Sequence, residues 1–114
     1  MKNIDLTKFK ISKAPWTIDE YIVDHLDRKL FDILADDGEV IIGNEGFFLD
    51  EETDRANSNV VKNAPIMLKS MISFCITVDK GYISNNLSCY HEFKQIIEDS
   101  LERSWEDIKK ELNI

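Results

Sequence analysis

Thirteen carboxylates fall between Asp19 and Asp54, with only Arg28 and Lys29 to oppose them. A stretch of formal charge −11 cannot form the inside of a small protein, because each unpaired carboxylate taken out of water costs several kcal/mol. Most of this segment must therefore be surface. The rest of the chain has nine acids and twelve bases, so the net charge of −8 belongs to one region. Such asymmetry points to a charged partner more than to general solubility. It also argues against direct contact with nucleic acid, whose phosphates the segment would repel.

The apolar residues have to supply the core. With 114 residues, 43% of them hydrophobic, the chain is expected to form a single domain over 1–114. No apolar run approaches the roughly 18 residues of a membrane span. Met1 to Ser12 lacks the continuous apolar centre of a secretion signal. Cys75 and Cys89 have no metal-ligand spacing and read as free thiols in a cytoplasmic setting.

Periodicity predicts an α+β fold: an antiparallel sheet of about four strands, with an N-terminal amphipathic helix and a long C-terminal helix on one face. Thr7 to Ile11 suits a short edge strand. Ala14-Pro15-Trp16 is a break. Thr17 to Ala35 reads as a helix, with Thr17 and Glu20 as a capping box, Trp16 and Tyr21 as a staple, and Ile18, Ile22, Leu26, Leu30 and Ile33 at helical spacing. Asp24 would pair with Arg28 one turn on. Asp36 and Asp37 would then sit at the wrong end of the helix dipole.

Glu39 to Asp50 reads as a hairpin, with Val40 to Ile42 and Phe47 to Leu49 around Gly43-Asn44-Glu45-Gly46. Asp50 to Ser58 reads as an acidic loop. Ile66 to Val78 alternates like a strand, although Pro65 could instead open a short helix over Ala64 to Met71. Asp79-Lys80-Gly81 turns the chain into Tyr82-Ile83-Ser84. Ser88 would cap one long helix with a stripe of Tyr90, Phe93, Ile97, Leu101, Trp105, Ile108 and Leu112.

No catalytic, cofactor or metal motif is present, so neither an enzyme nor a cofactor is expected. Cys89 and His91 are two apart, and on a helix such residues face different ways. His25 borders the apolar stripe of the expected first helix. Counted as a calcium loop from Asp50, Arg55 falls where glycine is needed and Val61 where glutamate is needed.

The remaining signal is the acidic face: Asp24, Asp27, Asp32, Asp36, Asp37, Glu45, Asp50, Glu51, Glu52 and Asp54. Trp16, Tyr21, Phe47 and Tyr82, with Trp105, are candidate aromatic anchors within a charged interface. The expected partner is a basic protein, with no membrane and no small-molecule cofactor. These features fit a stoichiometric inhibitor, most specifically a bacterial immunity protein that neutralises a cognate nuclease-type toxin. The alternatives are a phage-encoded DNA mimic and an acidic secretion chaperone.

Overall fold

Phe31, Ile33 and Ala35 are buried while Asp32 and Leu34 between them are only half-buried. That period of two is a strand with one covered face, and it decides the N-terminal half of the molecule. The computed structural model describes residues 4–23, 25–47, 49–82 and 87–114. Asp24, Phe48 of the expected hairpin, and Ile83-Ser84 of the expected return strand lie outside the described residues.

The expected helix over Thr17 to Ala35 is not formed. Thr17–Ile22 is strand β1 and Lys29–Leu34 is strand β2, paired antiparallel from Thr17↔Leu34 to Ile22↔Lys29. The helical stripe fails because it would bury Ile22, which is 67% exposed, and Leu26, which lies in the connection. The β-branched Thr17, Ile18, Ile22 and Val23 favour extended backbone. Thr17 and Glu20 are consequently strand residues and cap nothing.

Strand β3, Val40–Ile42, adds to the other side of β2, giving the order β1-β2-β3. Ile33 pairs with Ile42 but Leu34 with Val40, so the ladder is bulged there. Asp36, Asp37 and Gly38 form the turn between β2 and β3, where Gly38 takes a positive φ of 89° that favours glycine. The two aspartates therefore oppose no helix dipole.

The expected hairpin over Glu39 to Asp50 is also absent. After β3 comes a 3-10 turn, Asn44–Gly46, and Phe47 folds into the core. The expected acidic loop is helix α1, Glu51–Lys62. Asp50 caps it, accepting from the Thr53 amide at 2.8 Å, and Glu51, Glu52 and Asp54 occupy its first turn, where the dipole favours them.

Asn63 alone separates α1 from helix α2, Ala64–Asp79. Residues 66–78 are thus not a strand. Ile72, Cys75 and Val78 are the buried residues of this run, and steps of three are helical. The reading with Pro65 near a helix start holds and extends to Asp79. Gly81, at φ 84°, ends the segment in the expected turn.

The expected long C-terminal helix is two: α3, Ser88–Leu101, and α4, Trp105–Leu112. Glu102 adopts a left-handed conformation at φ 53°, and Ser104 caps α4 by accepting from the Asp107 amide at 3.2 Å. Leu87, not Ser88, holds the cap position of α3. The expected stripe is nonetheless the buried one, with Phe93 half-buried. Near the N-terminus, Leu6–Phe9 is a 3-10 helix capped by Asp5, not an edge strand.

The contacts divide the chain into two units. In Ser12–Ile66, Phe31, Ile33 and Phe47 form the core with Trp16, Ile18, Ile41, Ile42 and Val61 around them. In the other unit, residues 1–11 and 67–114, Ile4 and Leu6 join the buried faces of α2, α3 and α4.

Asp79 ties that second unit together. It accepts from the Tyr90 hydroxyl, from Trp105 Nε1 at 2.7 Å and from Lys109 Nζ at 3.1 Å. Desolvation works against its ionised form, but the three donors outweigh it and hold the carboxyl below the ordinary 3.8. Asp79 in turn pushes the Tyr90 hydroxyl up to about 12. Burial, and then Asp79, raises the Cys75 thiol to about 11. Cys75 and Cys89 are not joined.

Two expectations follow. The stability from Asp79 is present above its unfolded value of 3.8 and is lost as pH falls through the lowered folded value. The Tyr90 contribution is present below its ordinary 10 and is lost as pH rises through about 12. Urea unfolding should therefore show Asp79→Ala costing on the order of 2 kcal/mol near neutrality, with both limbs of the pH dependence flattened. Leu101→Asp, which puts a charge into the α3 stripe, should abolish cooperative unfolding; an unchanged melt would mean that the stripe tolerates water.

Candidate acidic interface

One cation organises the acidic segment. Arg28 donates through Nε to the Lys29 carbonyl at 3.0 Å, through Nη1 to the Leu49 carbonyl at 2.8 Å, and through Nη2 to Asp54 at 2.6 Å. The second Asp54 oxygen accepts from the Leu49 amide at 3.0 Å. Glu51 accepts from the Lys29 amide at 2.5 Å. The start of β2 is thereby fastened to the first turn of α1. Asp54 is 0% exposed, and an aspartate with that burial needs this much satisfaction. Of the run from Asp50 to Asp54, then, Asp54 is interior and Glu51 half-buried. Asp50 and Glu52 are exposed.

The β1–β2 register sorts the other carboxylates by face. Ile18, Glu20 and Ile22 lie opposite Ile33, Phe31 and Lys29, and directly opposed residues share a face. This face meets α1: Arg55 stacks over the Phe31 ring at 5.4 Å and pairs with Glu20 at 3.3 Å. Glu20 also pairs with Lys29 at 3.6 Å.

The outer face presents Thr17, Asp19 and Tyr21 beside Leu34, Asp32 and Leu30. Asp19 thus stands directly across from Asp32, a pairing of like charges that destabilises a ladder. Tyr21 donates to Asp32 at 3.0 Å and accepts from the Asn44 amide. The Asn44 bond lowers the Tyr21 pKa, but desolvation and the Asp32 carboxylate outweigh it, and the net shift is upward from 10.0. No described cation lies within ion-pair reach of Asp19 or Asp32.

The remaining acids lie in connections. Asp27 is exposed between β1 and β2. Asp36 pairs with Lys13 at 3.6 Å, and Asp37 accepts from the Glu39 amide at 3.0 Å. Glu45 is exposed on the 3-10 turn. Bonds from the Thr53 amide, and then its hydroxyl, hold the Asp50 carboxyl below its ordinary value. Every described member of the expected acidic face belongs to the Ser12–Ile66 unit. Counted by sequence, that unit has thirteen acids against five bases, or −8, and the other has nine of each, or zero.

The expected anchors divide sharply. Phe47 is buried. Trp16 is half-buried and donates to the Ser12 carbonyl at 3.0 Å. Tyr21 is half-buried and held by Asp32. Tyr82 is 78% exposed but lies in the electrically neutral unit, and Trp105 is core.

His25 and His91 are exposed and Cys89 is half-buried. No group of three His, Cys, Asp or Glu side chains among the described residues is placed to hold a metal. None of the helices among them is long and apolar enough to cross a membrane. Comparison with protein-family models, with curated proteins and with solved structures gives no match.

Arg28→Ala should cost about 3–5 kcal/mol in urea unfolding, because it leaves Asp54 buried and unpaired. Asp27→Lys, on an exposed bend, should stay within about 0.5 kcal/mol. Equal effects would mean that the Arg28 pair does not organise the segment.

Proposed function

We propose that the protein is a stoichiometric inhibitor of the immunity type, neutralising a basic bacterial toxin of the nuclease class by occupying its cationic, phosphate-binding cleft. The observation that carries this reading is the segregation of charge: all of the net −8 falls in Ser12–Ile66. Carboxylates placed where phosphates would bind compete with substrate, and their field steers a basic partner to association rates of up to about 10⁸–10⁹ M⁻¹s⁻¹ at low salt. These carboxylates fall on β1 and β2, on the connections of the small sheet and on the first turn of α1, all within one unit, which favours a plug for a local cleft over a mimic of extended duplex.

Affinity capture of the tagged full chain from its own cells at low salt tests the reading. One basic polypeptide recovered at near equal stoichiometry, insensitive to nuclease treatment and released by salt, is the expected result. Reversing Asp27, Asp36, Asp37 and Glu52 together should slow association at least about tenfold and flatten its salt dependence, with little change in dissociation. An unchanged rate and salt slope would sink the acidic-interface reading.

A further inference from the structure

β1 is an edge strand. Its one neighbour in the sheet is β2. Among the described residues, no backbone group of β1 bonds to anything outside that pair. In an antiparallel ladder every second residue turns its N–H and C=O away from the partner strand, so β1 offers alternate free donors and acceptors along Thr17–Ile22. Thr17, Asp19, Glu20 and Ile22 are all exposed.

The two edges of the sheet are guarded differently. β3 is three residues long and its ladder is bulged, both features that discourage a further strand. β1 is six residues long, with unbroken register and no proline. Among the described residues, what guards it is charge. Glu20 is already paired with Lys29 and Arg55 on the α1 side. Asp19 has no such partner and faces Asp32 across the ladder. A second copy of this strand would bring carboxylates against carboxylates. A strand with lysine or arginine beside Asp19 would relieve the existing repulsion.

We propose that the edge of β1 is the docking site for an extended, basic segment of the partner protein, which adds to the sheet as a fourth strand. Backbone bonds supply the affinity and Asp19 with Asp32 selects for a cation on the outer face. This rests on the acidic-interface reading above and assigns it a mode of contact.

The probe is a short capped peptide alternating lysine with threonine, titrated into the isotopically labelled full chain at low salt. Its control is the same peptide N-methylated along its length, which keeps the charge and loses the strand-pairing donors. Expected are slowed hydrogen exchange at alternate amides of β1, at least about tenfold weaker binding of the methylated peptide, and at least about tenfold weaker binding of the plain peptide to Asp19→Lys. Asp19→Lys should fold normally, since it places an opposite charge across from Asp32. Equal binding of the two peptides, with shifts elsewhere on Ser12–Ile66, would overturn strand addition and leave the acidic-interface reading standing. Failure of the plain peptide to bind, or binding with no slowed β1 amide, would also overturn strand addition. The capture experiment judges the acidic interface independently.

Discussion

The Arg28–Asp54 pair is the contact on which the acidic unit depends. A segment this rich in carboxylates resists compaction, because each acid repels the next. Arg28 offsets that at one point by reaching the start of β2, the Leu49 carbonyl and the first turn of α1 together. Its planar fork suits this better than a lysine would, since separate donors meet separate acceptors in fixed directions. Once α1 is anchored over β1 and β2, Phe31 and Ile33 are covered and the other acids can face water. The acidic surface thus exists because one carboxylate was withdrawn from it.

In the other unit a single aspartate joins three helices. Asp79 ends α2, where the helix dipole disfavours an anion, and is compensated by donors from α3 and α4. The two units therefore use opposite arrangements of the same chemistry: a buried acid met by one arginine, and a half-covered acid met by a tyrosine, a tryptophan and a lysine.

Much of the C-terminal half was legible in the sequence. The stripe from Tyr90 to Leu112 is the stripe that is buried, and an α+β class with an antiparallel sheet is correct. The break between α3 and α4 was missed, because the apolar stripe runs through it unbroken; the signal that could have found it is Ser104, three residues before Asp107 as a cap should be. The errors lie where two periods coexist. Residues 18–35 satisfy a helical spacing and also the alternation of Phe31, Ile33 and Ala35, and the covering of one sheet face by α1 chooses between them. Residues 66–78 are so apolar that alternation carries no information, and the length of the run was the better guide. Within the acidic face, Asp54 could not be told from its neighbours, because its burial depends on an arginine twenty-six positions earlier in the chain. Arg28 itself could have been suspected, as one of only two cations among thirteen acids.

The register that sets Asp19 against Asp32 also bears on how the molecule behaves in bulk. A six-residue edge strand is a template for sheet growth between copies, and Asp19 and Glu20 on it set like charge against like when two copies approach edge to edge. Replacing Asp19 with a neutral residue would remove that charge and leave the hydrogen-bonding edge beside it intact. The resistance of β1 to pairing with its own kind therefore rests on side-chain charge and not on the backbone of the strand.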